Sequence, residues 1–120
     1  MDLVMNVNFM GPARLVRSLL PQLNEEGHII LTSSVSGVRG SYDPIYAASK
    51  AGLIGFSKSL ATWLGPSVRV NALAPALVQD STMYKDMSPE RREKHVQDSP
   101  GGRLATLEEI GDLVLQLVGP

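Results

Sequence analysis

Leu3, Val4, Val7, Leu15, Val16, Leu19 and Leu20 fall at spacings that suit one face of a helix over residues 3–20, disturbed by Pro12 and Pro21. Only Asp2 stands before this stripe as a capping residue, so the helix is expected to be under way at Met1. Asn24-Glu25-Glu26-Gly27 stops it. His28-Ile29-Ile30-Leu31-Thr32 is a short β-branched and apolar run that reads as a strand buried on both faces. Ser33 to Pro44, rich in Ser and Gly, reads as loop. A long helix is expected from Ile45 to Leu64, weakened by Gly52 and Gly55 and ended by Gly65-Pro66. Val68 to Leu73 reads as a second short strand halted by Pro75, and residues 75–87 read as polar loop. Ser88-Pro89-Glu90 supplies an N-cap and a first-turn proline for a charged helix to about Gln97. Thr106-Leu107-Glu108-Glu109 fits a capping box, with Ile110, Leu113, Val114 and Leu117 on one face of the helix that follows.

The order helix, strand, helix, strand, helices predicts an α/β fold with parallel strands joined by a crossover helix. Two strands alone leave each outer edge with unpaired backbone groups and apolar faces needing cover. The first helix has no start signal and the last ends at Gly119-Pro120. The chain therefore reads as the middle of a larger doubly wound parallel sheet.

Composition narrows the chemistry. The 120 residues are 43% hydrophobic and 19% charged with a formal net charge of -1, so neither nucleic acid nor an anionic membrane has an electrostatic footprint to meet. No cysteine is present, which excludes disulfides, thiolate metal sites and a Cys nucleophile. With only His28 and His95, a multi-histidine metal site is not expected, and no apolar run approaches the ~20 residues of a membrane span. A cytoplasmic domain is expected, its chemistry resting on hydroxyls, carboxylates, lysines or a borrowed cofactor.

Tyr46 and Lys50 lie four apart on the expected second helix, one turn apart on one face. A free phenol, with a pKa near ~10, is a poor acid–base catalyst at neutral pH; an adjacent ammonium stabilises the phenolate, most strongly where water is excluded. With three tyrosines in the chain, such a pair arises by chance in about one chain in ten, so it needs company. Ser33 and Ser34 supply it, at the carboxyl end of the first strand, where reacting ligands lie in open α/β sheets; simple turn chemistry is the plainer role for them. Asn8, flanked by Val7, Phe9 and Met10, is unfavourable within a helix and either faces solvent or marks a kink.

Val35-Ser36-Gly37-Val38-Arg39-Gly40 echoes a dinucleotide fingerprint but lacks its first glycine and the later acidic residue, so its glycines read as flexible turn positions. His28 is expected to face solvent, His95 to sit on a charged surface helix, and Arg91-Arg92-Glu93-Lys94 to form a solvated face. The five methionines read as gap-filling contacts.

Four stretches taken together, Val7-Asn8-Phe9-Met10-Gly11-Pro12, Ile29 through Ser33-Ser34-Val35-Ser36-Gly37, Tyr46-Ala47-Ala48-Ser49-Lys50-Ala51 and Arg69-Val70-Asn71-Ala72-Leu73-Ala74-Pro75, resemble consecutive landmarks of the short-chain dehydrogenase/reductase family. The resemblance covers essentially the whole chain and implies a partial Rossmann-like fold: the catalytic portion of one oxidoreductase domain, residues 1–120, incomplete at both ends. It implies a catalytic tetrad of Asn8, Ser34, Tyr46 and Lys50. Asn8 would hold a proton-relay water through its backbone, Ser34 would orient the substrate carbonyl, Tyr46 would be the acid/base, and Lys50 would lower its pKa and bind the nicotinamide ribose. Ser34 would take the last strand position, with Ser33 the alternative because the loop to Tyr46 is about one residue short. Tyr46, Lys50, Pro75, Val78 and Thr82 would contact the cofactor, with Ser81 an alternative to Thr82, and Ser34 and Ser36 would contact the substrate. Ala76 stands where relatives commonly have glycine.

The resemblance further implies NAD or NADP as cofactor, a small-molecule carbonyl or alcohol as substrate, no nucleic-acid or membrane partner, and a homo-oligomer, dimer or tetramer, through helices around residues 1–24 and 45–64. The glycine-rich turn that would grip the pyrophosphate is absent from these residues. The expected activity is hydride transfer between an alcohol and a ketone or aldehyde. Its rival is a catalytically inactive truncated form that serves only as an interaction module. The extended branch of the family, acting on nucleotide sugars, shares the Tyr–Lys pair, but Asn8 and the stretch to Pro75 favour the simple branch.

Overall fold

The structure, a computed structural model, describes residues 3–119, so the helix start expected at Met1 lies outside the described residues. It divides into two compact units, one ending at Pro75 and the other beginning at Ala76.

The first unit opens with a continuous helical segment in four parts. Helix α1 (Leu3–Met5) passes into a π-helical turn at Asn6–Met10, then α2 (Gly11–Leu19), then a 3-10 turn at Leu20–Gln22. Asn8 sits in the π turn, which meets the expectation that it marks an irregularity; such turns interrupt regular helix where a site needs it. The Gly11 N–H bonds to the Asn6 carbonyl, so Pro12 follows the wide turn where its missing N–H is cheap.

Strand β1 (His28–Thr32) and strand β2 (Arg69–Leu73) pair in parallel, from His28 opposite Arg69 to Thr32 opposite Leu73. Helix α4 (Pro44–Leu64) makes the crossover between them and packs on both strands. Its start is fixed by Asp43, whose Oδ1 accepts from the Ile45 and Tyr46 amides at 3.1 Å each, followed by Pro44 in the first turn. The core gathers Val16, Leu31, Leu60, Val68 and Val70, with Leu20, Leu23, Ile29, Phe56 and Leu64 partly buried around it. Phe9 and Phe56 meet edge to face at 5.9 Å, which seats the π turn on α4.

Three local expectations are corrected. Ser33 to Pro44 is not all loop: Val35–Arg39 forms a short helix, α3, because the Ser34 hydroxyl caps it. Strand β1 is not buried on both faces; only Leu31 is buried, because an open groove along α2 leaves Ile29 and Ile30 partly accessible. His28 does not simply face solvent. Its Nε2 lies 3.0 Å from the Arg69 guanidinium across the strand pair, and its Nδ1 is buried without a hydrogen-bond partner among the described residues. A guanidinium can only donate, so Nε2 accepts.

The second unit is built from short helices held by side-chain caps. Val78 bridges to Ala105, and the Gln79 amide bonds to the Ala105 carbonyl at 2.8 Å. The polar loop expected over residues 75–87 contains a one-turn helix, α5 (Thr82–Lys85), capped by Ser81. Helix α6 (Pro89–Asp98) starts at the Ser88 cap. Arg92 on α6 is not a solvated charge: it donates to the carbonyls of Tyr84 and Lys85 at 2.8 and 2.9 Å, closing the end of α5, and lies 4.5 Å over the Tyr84 ring.

Helix α7 (Leu107–Val118) carries the expected capping box between Thr106 and Glu109. Arg103 grips both oxygens of Glu109 at 2.7 and 2.9 Å. That hydrogen-bonded fork and the Thr106 amide hold the Glu109 carboxyl down to about 2. Because the folded value lies below the ordinary 4.5, the stabilisation is complete above that value and disappears as pH falls to about 2. Glu109→Gln is therefore expected to melt below the native protein at neutral pH, with the gap closing between about pH 4.5 and pH 2 in thermal scans. A gap independent of pH would contradict this. Among the described residues no helix is long and apolar enough to cross a membrane, and no cluster of metal-ligating side chains occurs.

Candidate active site

The site assembles where β1 ends against the first turns of α4. The Ser33 amide extends the strand pairing by bonding to the Leu73 carbonyl at 2.7 Å, and its hydroxyl, 2% exposed, donates to the Lys50 carbonyl at 2.6 Å. Ser33 is thus buried with its one O–H donor committed. Ser34 is half-buried and extended, not in the strand as expected but capping α3. Its Oγ accepts from the Ser36 amide at 3.1 Å, an arrangement that leaves its own O–H free to donate elsewhere. Ser36 lies in the first turn of α3 and is held there through its backbone.

Helix α3 lies against α4 at one tight point. A Cβ added to Gly37 would fall 2.7 Å from both the Ala51 nitrogen and the Lys50 carbonyl carbon. Gly37, read from the sequence as a flexible turn position, is instead a close-approach position, whereas Gly40 does take a left-handed φ of 86° at the end of α3. Closing the other side, the Val35 amide bonds to the Pro75 carbonyl at 3.0 Å, which ties Pro75 to the start of α3.

Tyr46 is half-buried in the first turn of α4, and its hydroxyl takes no hydrogen-bond partner among the described residues. Lys50, one turn on, places Nζ 5.8 Å from the centre of the Tyr46 ring and donates to the carbonyl of Thr32, the last residue of β1, at 3.1 Å. An ammonium has three donors, so two remain. Burial pushes the Lys50 pKa down from its ordinary value. Asn8 reaches the same helix from the π turn: its Nδ2 donates to Ser49 Oγ at 3.2 Å.

Asn8, Ser34, Ser36, Tyr46, Lys50 and Pro75 therefore all belong to the first unit. Val78 and Thr82 belong to the second, Val78 in its bridge to Ala105 and Thr82 exposed at the start of α5 behind the Ser81 cap. A groove of about 650 Å³ along α2 and β1 reaches Asn8, Thr32 and Lys50 but touches neither Tyr46 nor Ser34. The sequence assigned no role to Ser49 and offered Gly37 only as a flexible turn position. The available signal for Ser49 was a hydroxyl one turn before Leu53 on the face of α4 that also carries Ser57 and Leu60.

Two parallel strands with a helical crossover, and a Tyr–Lys pair at the carboxyl end of β1, make this a partial Rossmann-like α/β fold. Residues 1–120 match the family model described as Enoyl-(Acyl carrier protein) reductase. The chain is 37% identical over 118 residues to the 3-oxoacyl-[acyl-carrier-protein] reductase FabG of Aquifex aeolicus, covering 95% of this chain and 47% of that protein. It is also 37% identical to the acetoacetyl-CoA reductase of Synechocystis, over 99% of this chain and 51% of that protein. A crystal structure of a short-chain dehydrogenase/reductase from Brucella melitensis superposes with a TM-score of 0.90 at 26% identity, over 97% of this chain and 47% of that one. The 3-oxoacyl-[acyl-carrier protein] reductase from the same organism gives 0.80 at 38% identity, over 93% and 43%. The chain belongs to the short-chain dehydrogenase/reductase family, and it spans about half the length of the relatives it matches.

Proposed function

We propose that the protein containing this chain is a cytoplasmic NAD(P)-dependent oxidoreductase that interconverts an alcohol with a ketone or aldehyde. The names of its relatives support a 3-oxoacyl thioester as the carbonyl substrate. The observation that carries this reading is the unspent Tyr46 hydroxyl one helical turn from the Lys50 ammonium, at the end of β1.

The donor set suits the ribose and amide of a nicotinamide nucleotide. Lys50 keeps two N–H donors, and Tyr46 and Ser34 keep their O–H groups. Tyr46 and Lys50 would hold the ribose, with Pro75 at the nicotinamide. When bound, the nicotinamide supplies the hydride. Ser34, rather than the buried Ser33, donates to the substrate oxygen and orients the carbonyl. Tyr46 gives its proton to that oxygen as negative charge gathers there, and the Lys50 ammonium stabilises the phenolate left behind. The Asn8 amide is engaged by Ser49, so a relay water would be held by its backbone. In a homo-oligomer the exposed Trp63 of α4, at 79% exposure, would find cover.

The test is incubation of the protein with NADH or NADPH and a short 3-oxoacyl thioester. Loss of the reduced nicotinamide absorbance in step with hydroxyacyl product supports the reading; no turnover with any ketone, aldehyde or alcohol and either cofactor overturns it.

A further inference from the structure

Ser49 is the one residue among those described whose side chain is wholly enclosed, at 0% exposure. A hydroxyl sealed from water must meet its hydrogen-bonding needs internally. Ser49 Oγ donates to the Tyr46 carbonyl at 2.6 Å and accepts from Asn8 Nδ2 at 3.2 Å. Ser57, two turns further along α4, shows what such a residue does by default: its hydroxyl bonds back to the Ile54 carbonyl at 2.7 Å and makes no hydrogen bond to another element among the described residues. Ser49 makes the same local bond and adds a tertiary one across 41 residues of sequence, to the π turn. An i−3 bond from a serine normally competes weakly with the helix ladder. Here it fastens the carbonyl of Tyr46 to an anchor outside α4.

We infer that Ser49 is a positioning residue for the proposed reaction: through its hydroxyl, the Asn8 side chain in the π turn sets the pose of the α4 turn that bears Tyr46. The inference rests on the oxidoreductase reading above. Ser49 touches no reacting atom; it acts through the backbone of Tyr46. The π turn widens the helix at Asn8, and the Asn8 amide spans the gap to α4. Without the Ser49 hydroxyl, the Asn8 donor loses this partner and the Tyr46 carbonyl keeps only its helix-ladder bond, so the link from the π turn to the turn of α4 that bears Tyr46 is cut. Small displacements of an acid–base group are costly: a misplacement of about 1 Å can cost on the order of a hundredfold in rate.

The experiment compares Ser49→Ala, Ser49→Cys and Ser49→Thr in the protein containing this chain. Alanine suits a helix and removes the hydroxyl; cysteine keeps the shape with a much weaker donor and acceptor; threonine restores the hydroxyl. The account expects kcat to fall about tenfold in the alanine and cysteine variants, within the range for misplaced catalytic groups. The pH dependence of kcat should shift, and threonine should recover most of the rate. Asn8→Ala combined with Ser49→Ala should lower kcat no further than either change alone, because both cut the same link. Unchanged kcat and pH profile in both Ser49→Ala and Ser49→Cys, with the native enzyme active, would overturn the inference and leave the oxidoreductase reading intact. Absence of turnover in the native protein would instead overturn that reading.

Discussion

Tyr46→Phe is expected to abolish carbonyl reduction while leaving the fold untouched. Removal of a general acid costs on the order of a hundred- to ten-thousand-fold in rate. Because the proton moves only in the transition state, kcat and kcat/KM should fall together, with little change in KM. The structure explains why stability should not follow. The Tyr46 hydroxyl has no partner among the described residues, and the ring itself is retained, so the change in stability should stay within about 0.5 kcal/mol. Steady-state kinetics and a thermal scan on the same preparation read both. Residual activity near the native rate would remove Tyr46 from the mechanism.

The second large effect is one of packing. A glycine-to-alanine change inside a helix ordinarily stabilises by about 1 kcal/mol. At Gly55 of α4 nothing lies within 4 Å of an added Cβ, and Gly55→Ala is expected to follow that rule. At Gly37 the sign reverses. The added carbon would sit 2.7 Å from backbone atoms of Lys50 and Ala51, and backbone cannot swing aside as a side-chain tip can. Either α3 lifts from α4 or α4 bends, at a cost of about 1–3 kcal/mol, which exceeds the propensity gain. Lifting α3 also carries Ser34 away from the helix that bears Tyr46 and Lys50. Gly37→Ala should therefore lower the denaturant midpoint and the activity together, while Gly55→Ala raises the midpoint. Two changes of the same sign would contradict this account of the α3–α4 contact.

Elements with strong local signals were legible in the sequence. The apolar run His28–Thr32 is β1 to the residue, and Gly65-Pro66 and the Thr106–Glu109 box end and start α4 and α7 where they should. Capping chemistry and hydrophobic period act over a few residues, so they can be read without knowing the partner. The irregularity at Asn8 was legible for the same reason, as a polar residue in an apolar helical stretch. The short helices α3 and α5 were not. Each is too brief to show a period and exists because a serine hydroxyl caps it and another element closes it.

Candidate site residues divide along the same line. The Tyr46–Lys50 spacing is a local fact, and the structure keeps the ammonium beside the ring. Choosing between Ser33 and Ser34 needs tertiary information: the burial of Ser33 and its bond to the Lys50 carbonyl bring together residues 17 apart. The roles of Gly37 and Ser49 are invisible to any pattern within one segment, since each is defined by what the other helix brings to it. The sequence-stretch resemblance points to the family's tetrad, but the link from Asn8 through Ser49 to Tyr46 emerges only when the π turn is laid on α4.

The central claim is that a proton from Tyr46 and a hydride from a nicotinamide meet on one carbonyl group. Its most direct test is product analysis after a single turnover with a reduced cofactor carrying deuterium at both C4 positions of the nicotinamide ring and a 3-oxoacyl thioester. The account predicts one deuterium on the new carbinol carbon with the native protein, and no labelled product over the same time with Tyr46→Phe. Product without deuterium at that carbon, or equal labelling by the two proteins, would contradict it.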